Sequence, residues 1–206
     1  LRAYLPPGRW VDHDLSAEIA RLGLSATAAN NVICVSEHEK LLGATQGATA
    51  FVSVLIRYGI GAALYSNGSF LAGEETFTGE LGHMRVRSTG PMCVCGGRGC
   101  LDAGASGRTL PASPTRRELA RRADLLGVAL GNLLKLFHPP LAIVNGAYNE
   151  RREAFGPPLA DALARELKPM ALDPPDIVFG DPVELKASQG AAIRARRRFL
   201  TDHLLR

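Results

Sequence analysis

The stretch that most constrains this chain runs from Gly79 to Ser106, GELGHMRVRSTGPMCVCGGRGCLDAGAS. It gathers two carboxylates, a histidine and three of the chain's four cysteines. His83, Cys93, Cys95 and Cys100 stand in the pattern H-x9-C-x-C-x4-C. One imidazole and three thiols so close together suit a tetrahedral metal ion better than a disulfide framework. Cys3His is a set that structural zinc takes with all four positions filled. Such a site has no open position for water, so zinc here would pin the irregular loop from Arg85 to Cys100, which has no hydrophobic period of its own, and do no chemistry itself. Any fold for this chain has to carry that zinc loop, residues 79–106.

With 206 residues, 46% of them hydrophobic, the chain can bury a proper core as one large domain or a pair of lobes. The net charge of +4 is spread out, with dense basic runs only at Arg116-Arg117, Arg121-Arg122 and Arg194 to Arg198. These fall on predicted helices and read as solvated faces. Aromatic residues are not interleaved with them as single-strand binders require, which argues against a zinc-ribbon nucleic-acid module. No apolar run reaches the roughly 18–20 residues a membrane-spanning helix needs, and LRAYLPPGRW does not make a signal peptide, so the expectation is a cytoplasmic protein without a membrane partner. Thiols clustered beside a histidine fit a reducing compartment, and Cys34 reads as a small buried hydrophobe.

Taken in order, the proline-rich opening through Trp10 predicts an extended connector, and Asp14 a cap for a helix over Leu15 to Leu22 that stops at Gly23. A second helix is predicted from Asn30 or Asn31 to Gly43, with Ile33, Cys34, Leu41 and Leu42 on its buried side. Ala50 to Arg57, apolar on both faces, reads as a central strand, followed after a glycine turn by Ile60 to Tyr65. Asn67-Gly68 is a hairpin signal, so these strands are antiparallel neighbours. Leu119, Ala123, Leu126, Leu130, Leu133 and Phe137 recur at steps of four and three, the mark of a long amphipathic helix ended by Pro139-Pro140. Leu141 to Asn145 reads as a buried strand, and Pro157-Pro158 as the opening of a helix to about Lys168. Asp176 to Phe179 and Ala187 to Leu200 repeat the strand and helix order, which together means an α/β fold.

Three sets of polar or flexible positions have more than one reading at this level. Glu80 lies one helical turn before His83, where it could accept hydrogen bonds from a polyhydroxylated ligand beside a metal-bound imidazole, or simply cap a helix start. Asp102, just past the last cysteine, has the same two readings. Gly59 and Gly61 could let a backbone approach phosphates, and Gly146 a nucleotide, or all three are ordinary turn residues.

Taken together, GELGH at Gly79 to His83, CVCGGRGCLD at Cys93 to Asp102 and Ala105-Ser106 resemble the ROK family of repressors, open reading frames and sugar kinases. AANN from Ala28 into SEHEKLLG looks like its sugar-site turn and helix, YGIGAALYSNGSFLAG like its second phosphate region and hairpin, and LGNLLKLFHPPLAIVNGA like the approach to its adenosine site. The resemblance implies an actin-like (ribonuclease H-like) ATPase fold of two lobes with a sugar in the cleft. It places Asn30, Asn31, Glu80, His83 and Asp102 around the sugar, Gly59, Gly61 and Gly146 at the nucleotide, and zinc on His83, Cys93, Cys95 and Cys100.

Two departures from that family steer the expectation. Its kinases look to need an aspartate where this chain has Asn31, and an amide cannot take the proton from a sugar hydroxyl, a loss worth roughly 10² to 10⁴ in rate. Asp102 is one methylene shorter than the family's glutamate. Nor is a D-x-G-x-T-like phosphate loop or a helix-turn-helix present in the sequence, and the segment from Ser106 to Arg116 is shorter than the family's. Residues 1–206 are therefore expected to be the C-terminal portion of a ROK-type sugar-binding domain, with the N-terminal lobe and any DNA-binding domain outside this chain. The expected function is the sugar-sensing effector domain of a transcriptional regulator that binds a hexose or N-acetylhexosamine, acts as a homodimer or higher homo-oligomer, and meets DNA only through that outside domain. The alternative is an ATP- and magnesium-dependent sugar kinase, or its inactive remnant.

Overall fold

In the computed structural model, residues 2–5, 10–23, 29–71, 79–182 and 184–204 are described. The opening segment, predicted as a connector, contains two strands, β1 (Arg2–Leu5) and β2 (Trp10–Asp14), paired antiparallel with an irregularity between Ala3 and Leu5. A ladder this short leaves no period to read, and its turn lies outside the described residues, as do Ala28 and the Ala72-Gly73 end of the hairpin segment. Helix α1 (Leu15–Arg21) follows, and Gly23 at φ +64° ends it as expected.

Asn30 opens α2 (Asn31–Leu42) by accepting the Val32 N–H at 3.0 Å, and the Gly43 N–H closes it on the His38 and Glu39 carbonyls. Its buried positions are Val32 to Glu37 and Glu39, whereas Leu41 and Leu42 are 53% and 60% exposed, contrary to the predicted face. The reason is that the apolar contact of α2 with Leu55, Ala63 and Ala187 is made by Val32, Ile33 and Val35, and Leu41 and Leu42 lie beyond it.

The centre is a five-stranded sheet in the order β5-β4-β3-β6-β7. Strands β3 (Ala50–Ile56), β4 (Ile60–Ser66) and β5 (Ser69–Phe70) form an antiparallel meander that turns at Asn67-Gly68, both at positive φ. Strands β6 (Leu141–Gly146) and β7 (Asp176–Phe179) run parallel to β3. Alternate side chains of β3 point to opposite faces. Val52, Val54 and Ile56 join a core with the helices α4 (Arg116–Leu134) and α5 (Arg152–Leu167), while Leu55 joins Val32, Ile33 and Val35 of α2, with Ala187 of α6 (Lys186–Leu204) packed against them. Helices thus cover both faces of the sheet.

Three helix expectations are corrected. The stripe on α4 is buried from Leu119 to Leu130, but the helix ends at Leu134 and Phe137 is exposed. Helix α5 starts at Arg152, with Pro157 and Pro158 inside it, because Phe155 in its first turn is fully buried and stacks on Tyr148 at 4.0 Å between ring centroids. The basic runs are only partly solvated. Arg122 is buried, donating to the Thr109 carbonyl and, at 3.1 Å, to its hydroxyl, and Arg194 and Arg197 donate to the buried Glu37 at 3.2 and 2.6 Å.

Candidate functional site

The parallel strands β3 and β6 end side by side at Ile56 and Gly146, and the candidate residues collect at that end of the sheet. Gly146, at φ +108°, has no room for a side chain, since a Cβ would lie 2.0 Å from the Ile56 carbonyl oxygen. Gly61 faces Val32, so the first turn of α2, carrying Asn30 and Asn31, sits directly over the start of β4. The Gly79 carbonyl accepts from Ala62 N at 2.7 Å, which places Glu80 and the one-turn 3₁₀ segment Leu81–His83 on the same rim. Asp102 lies beneath, at the start of the short helix α3 (Leu101–Ala105). Its Oδ1 would be 3.2 Å from a Cβ at Gly59 and 3.1 Å from one at Gly82. In the parallel part of an α/β sheet, the crevice beyond the carboxyl ends of the strands is where ligands sit.

On this rim the candidates differ in what they offer. Asn31 is exposed, and Asn30 is committed through its Oδ1 to the cap of α2. The Glu80 carboxylate is half-exposed and lies 3.7 Å from His83 Nε2. Asp102 is turned inward, only 5% of its side chain exposed, and its Oδ2 accepts from Arg108 Nη2 at 2.9 Å. Gly146 has no space for a Cβ beside the Ile56 carbonyl and Gly59 little beside Asp102, whereas a Cβ at Gly61 would make only ordinary contact with Val32, so packing accounts for the first two glycines and not for Gly61.

Beside the rim, one ligand atom from each of His83, Cys93, Cys95 and Cys100 lies within 4.8 Å of the others. His83 Nδ1 is 3.5 Å from the Cys93 sulfur, and the Cys95 and Cys100 sulfurs are 3.8 Å apart, too far for a disulfide, and all four cysteines of the chain are free thiols. A tetrahedral zinc with bonds of about 2.3 Å to sulfur and about 2.0–2.1 Å to nitrogen requires about 3.8 Å between sulfurs and about 3.5 Å from sulfur to nitrogen. These two spacings match such an ion, and with the remaining pairs within 4.8 Å the four residues could hold one. With Nδ1 facing the thiols, the other ring nitrogen faces Glu80, the carboxylate partner that fixes the orientation of a metal-bound imidazole. Backbone contacts shape the same loop. Val86 N donates to Gly99 O at 2.9 Å and Leu101 N to Met84 O at 3.0 Å, and Gly99 takes φ +74° where a Cβ would strike the Arg87 carbonyl. Burial, aided by the neighbouring thiols, pushes the Cys100 thiol up to about 12, whereas the Gly97 backbone holds Cys95 below its usual value. A divalent cation is what would let the three sulfurs ionise together.

Two side chains that the sequence reading did not single out complete the rim. Tyr58, half-exposed in the β3–β4 turn, has the Arg108 guanidinium 5.3 Å from its ring centroid. No spacing rule links positions so far apart. They meet because Gly107 N donates to the Arg57 carbonyl at 2.7 Å, clamping the segment after α3 to the end of β3.

A three-stranded meander extended by two parallel strands, with helices on both faces, is the ribonuclease H-like arrangement found in actin-like ATPase lobes. The chain belongs to the ROK family, whose profile matches residues 3–194, and whose kinases and regulators share the actin-like ATPase fold. A glucokinase from Thermotoga maritima is 26% identical, covering 89% of this chain and 70% of its own length. A xylose repressor from Bacillus subtilis is 29% identical over 71% of this chain but only 44% of the repressor. Among solved structures, a ROK glucokinase from Streptomyces griseus, in complex with glucose and AMPPNP, superposes with a TM-score of 0.79 over 94% of this chain and 76% of that one, at 22% identity. Among the described residues no helix is long and apolar enough to cross a membrane.

Proposed function

We propose that this chain is the C-terminal portion of a sugar-sensing effector domain in a ROK-type transcriptional regulator, binding a hexose or N-acetylhexosamine at the rim beside a structural zinc. The observation that carries this reading is Asn31, exposed at the first turn of α2 on the candidate rim, where an amide can hydrogen-bond a sugar hydroxyl but cannot accept its proton. The packing of Gly59 against Asp102 and of Gly146 against Ile56 adds weight, since both glycines are explained without a phosphate. Asn30, Asn31, Glu80 and His83 contact the sugar, and Asp102 acts from behind them. His83, Cys93, Cys95 and Cys100 hold zinc, which supplies rigidity to the loop. The protein works as a homo-oligomer in the cytoplasm, with a second lobe and the DNA-binding segment supplied by sequence beyond these 206 residues.

The match to the Thermotoga glucokinase favours a second reading, an ATP- and magnesium-dependent sugar kinase. Calorimetry with a panel of hexoses, paired with an assay for phosphorylated sugar in the presence of ATP and magnesium, separates the two. Binding without product supports the sensor, and turnover of about 1 per second or more would overturn it. Metal analysis is expected to give one zinc per chain, lost in Cys95→Ser, and zinc retained in that variant would show the ligand set to be wrong.

A further inference from the structure

Arg108 is a cation on the inner rim, and its surroundings are built to hold it still. It sits in the 3₁₀ turn Gly107–Thr109, fixed on three sides. Gly107 N bonds to Arg57 O at 2.7 Å, the buried Arg122 donates to Thr109, and the Tyr148 hydroxyl donates to Ala105 O at 2.7 Å just before the turn. The side chain is then held by Asp102 below and the Tyr58 ring beside it.

An arginine that served only to neutralise Asp102 would spend its donors on that carboxylate. Here a single bond, from Nη2 to Oδ2, joins them, and the buried Nε has no hydrogen-bond partner among the described residues. The cation is also the more accessible member of the pair, with 26% of its side chain exposed against 5% for Asp102. Arg57, whose carbonyl holds Gly107, is exposed at the neighbouring strand end, and Glu80 is turned towards His83.

We propose that Arg108 is a ligand-recognising cation at this rim, and that the sugar it selects carries an oxyanion, either a phosphate or a carboxylate. The proposal rests on the sugar-binding reading above and adds the ligand's charge. The terminal guanidinium N–H groups not used in the single bond to Asp102 suit an oxyanion, and a charged acceptor gains about twice what a neutral hydroxyl would. Because the turn and both flanking groups are already in place, little further ordering opposes binding.

Calorimetry on the full, zinc-loaded chain with glucose, glucose 6-phosphate and glucuronate tests this. At least one of the two charged sugars is expected to bind roughly tenfold or more tightly than glucose. Which of the two is preferred tells phosphate from carboxylate. Arg108→Gln is expected to bring that ratio close to one. Because this variant strands a buried carboxylate, the double variant Asp102→Asn with Arg108→Gln keeps the pair neutral and is expected to lose the preference equally. Equal binding of all three sugars by the wild-type chain overturns the proposal alone, as does a preference that survives in both variants. Failure to bind any of the three overturns the proposal and the sugar-binding reading together.

Discussion

On one face of the sheet α4 and α5 meet through Gly127, Gly131 and Ala162. On the other, α2 and α6 meet through two buried carboxylates and three cations. A Cβ at Gly127 would come 2.3 Å from that of Ala162, so the first pair of helices touches almost backbone to backbone and excludes water. In the second, Glu39 accepts from Lys186 at 2.5 Å, and Glu37 from Arg194 and Arg197. Apolar packing tolerates small shifts in register, whereas a buried ion pair is satisfied in only one arrangement and penalises the rest. The apolar layer is therefore expected to supply most of the lobe's stability, and the charged layer, whose α2 begins at the candidate rim, to select one geometry.

The contrast can be broken most sharply from the apolar side. Phe155→Ala removes a fully buried ring stacked on Tyr148 and is expected to lower stability by about 3–5 kcal/mol in urea denaturation. Lys186→Met leaves Glu39 buried without its cation and should cost about 3 kcal/mol. Adding Glu39→Leu should recover most of that, because removing both charges also removes their desolvation. If the double variant is as unstable as the single, the pair is not what fixes α6 in place.

Much of α2 could be read in advance, since Asn30 and Gly43 are local signals that need nothing from the rest of the chain. What could not be read is why Glu37 and Glu39 are buried, because the cations that permit it lie on α6, near the other end of the sequence. The same limit explains the basic stretch from Arg194 to Arg198, which looks solvated until α2 is placed against it. Helix α5 failed differently. Its prolines are a valid signal for a first turn, but the burial of Phe155 against Tyr148 won over that local preference and carried the helix back to Arg152. In the candidate site, the sequence pattern identified the thiol and imidazole set by spacing alone. Tyr58 and Arg108 escaped because only the Gly107 to Arg57 contact joins them.

Smaller effects sharpen the comparison through pH. Burial pushes the Tyr148 phenol above its usual 10.0, with Arg122 only partly opposing. The folded state thus favours the protonated ring, so this contribution is complete below about pH 10 and is lost as pH rises further. Phenolate absorbance should show one tyrosine titrating late, and Tyr148→Phe should remove that component. At the exposed start of α4, the Thr115 backbone N–H and hydroxyl hold the Glu118 carboxyl below its usual 4.5. Its contribution is present above that value and disappears as pH falls through the folded one. Carbon-detected NMR titration should find the low midpoint in the wild-type chain and one raised part of the way back in Thr115→Ala, where the backbone N–H still donates to Glu118.

Gly190 has a mechanical meaning beyond its small size. A Cβ there would fall 1.7 Å from the Cys34 carbonyl oxygen, so α6 rests on the main chain of α2 with no side chain between to act as a cushion. Two rods in bare contact, bolted at Glu37 and Glu39, cannot slide past each other without pulling those bolts. Moving the Asn31 end of α2 against the helix that ends the described chain would mean breaking those contacts.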